Sequence, residues 1–145
     1  MKNPKVLCLF LVVLNLILSG CSWNMATQAV MPSSLTSYND VFDAATELVT
    51  DAGYSVTQTD KKSGIISGVK QISGHSLSFN MVIKRDSKSR IVVNVTRSGG
   101  KFPLLNSVWK ADARSMLKNF AQRINIPENK ITVTMGEESS TLDQF

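Results

Sequence analysis

Few residues with chemical capability occur in this chain of 145 residues, and their spacing excludes most reactions. His75 is the single histidine, set in the turn-like Ser73-Gly74-His75-Ser76, and the only cysteines are Cys8 and Cys21. A zinc site needs three or four converging ligands, and a catalytic histidine needs an oriented partner; neither is offered. Asp40, Asp43, Glu47 and Asp51 recur every three or four residues, which is the spacing of one wet helix face rather than of a paired acid and base. Gly64, Gly68 and Gly74 lack phosphate-loop spacing, and Gly99-Gly100 is followed by Lys101-Phe102 instead of Lys and a hydroxyl residue. The expectation is no catalytic residue, no cofactor and no metal site, and hence not an enzyme.

Cys21 closes an N-terminal segment with its own pattern. Lys2 and Lys5 make a basic start, residues 6–18 are apolar apart from Asn15, and the small residues Ser19 and Gly20 precede the cysteine. That apolar run spans only about 20 Å as a helix, short of a hydrocarbon core of roughly 30 Å, so it reads as a processed signal rather than a membrane span. Leu18-Ser19-Gly20-Cys21 resembles the lipobox of bacterial lipoproteins. The resemblance implies that the chain is cut before Cys21, that its sulfur carries diacylglycerol, and that the new amino group is acylated. Several chains together make a durable membrane anchor. Ser22 at the next position implies, by the same resemblance, the outer membrane of a Gram-negative cell, with the domain on the periplasmic side. Cys8 then leaves with residues 1–20, and no thiol remains for a disulfide.

The formal net charge is +5, and without Lys2 and Lys5 it is +3, from 14 basic and 11 acidic residues. So modest an excess, without interleaved aromatic residues, argues against nucleic acid as a partner. Lys84, Arg85, Lys88 and Arg90 nevertheless crowd one hairpin end, with Arg97 and Lys101 nearer the other end of the last strand. The cluster reads either as ordinary surface charge or as a contact surface for acidic lipid headgroups or an acidic protein.

These residues need a scaffold, and the hydrophobic periods supply one. Residues 22–36 are small and polar, with Met25, Met31 and Pro32 interspersed, and read as a flexible tether; the alternative is a short edge strand at 28–31. Ser37, three residues before Asp40, predicts a helix start. Tyr38, Val41, Ala45, Leu48, Val49 and Ala52 then recur at helical spacing, and Gly53 stops the helix. Four strands are expected: 54–59, 65–72 beyond the turn 60–64, 76–84, and one carrying Ile91, Val93 and Val95 with period two. Pro103 fits near the entry of a second helix, whose stripe is Leu105, Trp109, Met116, Leu117, Phe120 and Ile124. Trp109 reads as a core anchor or, with Phe102 and Val108, as the border of an apolar groove for a lipid tail or peptide.

The expected fold is therefore α+β and two-layered, a four-stranded antiparallel meander flanked in sequence by two helices packed on one face, with room for a short fifth strand at 131–135. The chain divides into a lipoprotein signal peptide (1–20), a lipidated cysteine and tether (21–36), a single domain (37–135) and a loose polar tail (136–145).

Phe42-Asp43-Ala44-Ala45 through Leu48, Gly53-Tyr54-Ser55-Val56, Asp60 and Gly64-Ile65-Ile66 resemble the small periplasmic α/β domains of Gram-negative outer-membrane lipoproteins, including BamC-like domains of an assembly machine. The likeness is close over these stretches and elsewhere rests on element order. It implies a non-enzymatic adaptor or accessory role in envelope assembly or maintenance, with an envelope protein as partner. A second class stays open, a small lipid- or hydrophobe-binding module, which would need an enclosed cavity of at least roughly 300 Å³.

Overall fold

The computed structural model describes residues 23–72, 75–99 and 106–145. In chain order the elements are β1 (Trp23–Met31), α1 (Tyr38–Asp51), β2 (Ser55–Asp60), β3 (Ile65–Ile72), β4 (His75–Arg85), β5 (Ile91–Gly99), α2 (Asn106–Arg123), a 3-10 turn (Glu128–Lys130), β6 (Thr132–Met135) and β7 (Glu138–Thr141). The strands form one open antiparallel sheet in the order β2-β3-β4-β5-β1-β6-β7.

A four-stranded meander with a short fifth strand is thus incorrect: β2 to β5 do form a meander, but β1 inserts between β5 and β6, and β7 adds an edge. Residues 23–31, expected within a tether, are an interior strand. They pair with β5 from Trp23↔Gly99 to Met31↔Ile91, and with β6 from Thr27↔Met135 to Val30↔Thr132. The inward residues Thr27, Ala29 and Met31 include no Val or Ile, so β1 lacks the usual local strand signal. Its conformation comes from partners 60 or more residues away. The polar tail is corrected likewise. Glu138–Thr141 pairs with β6 across a two-residue turn, and Leu142 and Phe145 are buried. Gly136, at φ +63°, opens that turn in a conformation glycine adopts without strain.

Local signals account for α1. The Ser37 hydroxyl accepts the Asp40 backbone N–H at 3.1 Å and donates to the Asp40 carboxylate at 2.7 Å, which satisfies an orphan donor of the first turn. Gly53 takes φ +80°, and the Tyr54 N–H returns to the Val49 carbonyl at 3.2 Å. α2 ends in the same way, with Asn125 at φ +53° and the Ile126 N–H donating to the Ala121 carbonyl at 3.0 Å.

Both helices bury against one sheet face. Val41, Ala45 and Val49 of α1, Leu117 and Phe120 of α2, and Ile124 just beyond it share a core with Ile66, Phe79, Met81, Ile83, Ile91 and Val93. The other face carries uncharged polar pairs, such as Gln28 Nε2 donating to Asn94 Oδ1 at 2.8 Å and Ser67 Oγ donating to Asn80 Oδ1 at 3.0 Å.

The antiparallel register gives the sheet two distinct rims. One carries the starts of β1, β2 and β4 and the ends of β3 and β5, and is called the Trp23 rim. The opposite Met31 rim carries the end of β1 and the β2–β3 and β4–β5 turns.

Candidate functional site

The basic hairpin foreseen from sequence lies on the Met31 rim. Lys84 and Arg85 end β4, Lys88 sits in the turn, Arg90 precedes β5, and all four are exposed. Asp86 organises this turn. Its Oδ1 accepts the backbone N–H groups of Lys88 at 2.9 Å and Arg90 at 2.8 Å, and its Oδ2 accepts Arg90 Nε at 2.8 Å. Partial desolvation pushes the Asp86 carboxyl up, but the Arg90 backbone and side chain and the Lys88 N–H together hold it below the ordinary range. Arg90 is thereby committed to its own turn. The neighbouring β2–β3 turn repeats the device: Asp60 accepts the N–H groups of Lys62 and Ser63, and hydrogen bonds from Ser63 are the main cause of its lowered pKa. Lys61 pairs with Asp43 at 2.8 Å.

Arg97, expected among the exposed cations, is instead 4 % exposed. Its position on β5 continues the inward series Ile91, Val93 and Val95, so the period of two was the signal that could have placed it. The guanidinium hydrogen-bonds the Asp112 carboxylate from α2, and lies 5.8 Å from the Tyr54 ring centroid and 6.0 Å from that of Phe79. Carboxylate and ring faces together offset part of the desolvation cost. Burial raises the Tyr54 phenol above its ordinary pKa, with Arg97 opposing the rise and Asp112 adding to it.

Arg97 floors a groove of about 380 Å³ between α1, α2 and the sheet, toward the Trp23 rim. Tyr54, Lys70, Leu77, Asp112 and Arg123 also line it. Lys70 Nζ donates to the Ala52 carbonyl at 2.6 Å and lies 5.7 Å from the Tyr54 centroid. Arg123 joins the helices by donating to Glu47 at 3.0 Å and to Asp51. Most of the charge here is engaged within the fold, so the groove has braced charged walls over a lining that is largely apolar, with Leu48, Leu77 and Met116 among it. Deeper in the core, a cavity lined by Thr27, Met81, Val95 and Phe120 measures about 30 Å³.

The groove proposed from Phe102, Val108 and Trp109 rests on side chains outside the described residues, as do Leu18, Ser19, Gly20 and Cys21. His75 opens β4, with its side chain likewise not described. Among the described residues, no three of His, Cys, Asp and Glu are grouped to hold a metal ion, and no helix is long and apolar enough to cross a membrane. Compared with protein-family models and with curated proteins, the chain shows no match.

Proposed function

We propose that the chain is a lipid-anchored, non-enzymatic adaptor of the bacterial envelope, held through Cys21 on the periplasmic side of the outer membrane and presenting its sheet domain to an envelope protein. The observation carrying this reading is that Leu18-Ser19-Gly20-Cys21 lies N-terminal to every described residue of β1, Trp23–Met31. A cut before Cys21 leaves the sheet whole, whereas a cut a few residues later would strip β5 of its partners at Gly99, Ser98 and Arg97. The lipid would then stand at the Trp23 rim, within about 7 Å of the strand. An adaptor is favoured over a hydrophobe carrier because the buried apolar cavity is only about 30 Å³, room for roughly one water, and the larger groove is open to solvent rather than enclosed.

Mass spectrometry of the full-length protein extracted from membranes tests the anchor. The expected mature N-terminus is Cys21 bearing diacylglycerol and an amide-linked acyl chain, and Cys21→Ala abolishes that species. A mature chain starting elsewhere, or an unmodified Cys21, rejects the reading. Crosslinking in intact cells tests the adaptor role: a discrete protein that depends on Cys21 is expected, whereas stoichiometric non-covalent lipid without such a protein points to the carrier.

A further inference from the structure

We infer that the Met31 rim is a docking surface for an anionic phospholipid bilayer other than the one that holds the anchor. The direction rests on the proposed lipidation of Cys21; the chemistry rests on the rim itself. Three loops meet there: 32–36 after β1, 60–64 between β2 and β3, and 86–90 between β4 and β5. Tyr38, at the close of the first loop, donates its hydroxyl to the Lys61 carbonyl of the second at 3.0 Å. The third rises from Arg85, which is level with Ile91 and, across it, with Met31.

On these loops and at the end of β4 beside them Lys62, Lys84, Arg85 and Lys88 are exposed and form no ion pair among the described residues, while Asp60 and Asp86 are occupied within their own turns. The two turns, the strand ends beside them and the carboxylate that pairs with Lys61 hold Lys61, Lys62, Lys84, Arg85, Lys88 and Arg90 against Asp60, Asp86 and Asp43, a net +3. The chain from Cys21 onward is +3 as a whole, so its entire formal excess sits at this rim and the rest sums to zero. On the first of the three loops Leu35 is 47 % exposed, one of two exposed large hydrophobic residues among the described residues. Exposed cations and an exposed leucine at the same rim fit a plane of phosphate charge with an apolar layer beneath it. An acidic protein surface would meet the charge and leave Leu35 without a counterpart.

The direction follows from β1. It runs from the Trp23 rim to the Met31 rim over nine residues, roughly 26 Å at about 3.3 Å per residue. That is about three Debye lengths at physiological salt. Cys21 stands two residues before Trp23 in the sequence, so with the anchoring bilayer at one rim the cations lie outside its field at the other.

The full-length lipidated protein, reconstituted in phosphatidylcholine vesicles, is mixed with a second, dye-labelled population of equimolar phosphatidylcholine and phosphatidylglycerol, and capture is read by two-colour co-diffusion. Capture of the anionic vesicles but not of pure phosphatidylcholine vesicles is expected. It falls at least ~10-fold in a Lys84→Glu, Arg85→Glu, Lys88→Glu triple variant and roughly 3-fold in Leu35→Ser. Thermal unfolding of the variants verifies that the domain stays folded, as exposed turn positions predict. No capture, equal capture of neutral vesicles, capture untouched by the triple variant, or binding of an acidic protein in place of vesicles overturns the proposal. Retention on the phosphatidylcholine vesicles reads the anchor separately. Should that fail, flotation of the same protein with the equimolar vesicles still decides the rim, and absence of binding there overturns it.

Discussion

The two rims of the sheet handle positive charge in opposite ways. Toward the Trp23 rim an arginine is drawn under a helix, and Arg97 is held by Asp112 and by the Tyr54 and Phe79 rings. At the Met31 rim the cations stay on turns, and the layer beneath is apolar, with Met31, Ile83 and Ile91 fully buried. The contrast shows that a basic residue in this chain has no meaning apart from its place in the register. One residue further along β5 would have turned the Arg97 side chain to the open face.

The contrast can be broken from the inside. The largest effect is expected in the apolar layer of the Met31 rim, where Ile83→Ala should cost roughly 4 kcal/mol in urea denaturation because the site is close-packed. A loss below about 1 kcal/mol would mean that this rim is looser than its burial indicates. Gly64→Ala should follow at about 3 kcal/mol. Gly64 has φ +71°, and an added Cβ would stand 1.9 Å from the Ile83 carbonyl oxygen. Gly136→Ala is the control: φ is +63° with nothing within 4 Å, so only the backbone cost of about 1 kcal/mol remains.

At the other rim, Asp112→Asn should cost roughly 2 kcal/mol, because it weakens the pairing of a buried guanidinium while Asp112 itself is largely exposed. A readout independent of stability accompanies it. The Asp112 charge raises the Tyr54 pKa, so its removal should lower the alkaline midpoint of the Tyr54 phenol in an ultraviolet titration. An unchanged midpoint would show that the two do not share a site.

The smallest effect concerns the Met31 turns. The Asp60 and Asp86 carboxyls have lowered pKa values in the folded protein. Their contribution is therefore complete above the unfolded carboxyl pKa and is lost as pH falls through the folded one. Carboxyl-carbon NMR should find both midpoints below the ordinary aspartate value, with the turn amides of Lys88 and Arg90 shifting in step with Asp86. Midpoints at the ordinary value would mean that these turns are not held by their aspartates.

Much of the helix layer and of the meander was legible because its signals are local. Ser37 and Gly53 bracket α1, and the alternation in 76–84 and 91–95 marks β4 and β5. β1 and β7 were not legible. Ala29 is level with Val93 on one side and Val133 on the other, and nothing in the sequence near it announces either. Ser139, Ser140 and Thr141 are polar throughout, and β7 exists because β6 is beside it and Leu142 and Phe145 pin its end. The basic hairpin could be read as a cluster, but the recess around Arg97 could not, since Tyr54 follows α1, Lys70 is on β3, and Asp112 and Arg123 are on α2.

By itself the sequence determined the ends of α1, the alternation of β4 and β5 and the crowding of cations around the β4–β5 turn, all of which depend on neighbours a few residues apart. Tertiary structure alone decided that the residues after Cys21 form an interior strand, that Arg97 is buried while Lys84 and Arg85 are not, and that the cations and the start of β1 lie at opposite rims. The reason is the range of the interactions involved. A cap or a turn is satisfied within its own segment, whereas β1 acquires partners, position and direction only when strands distant in sequence close around it.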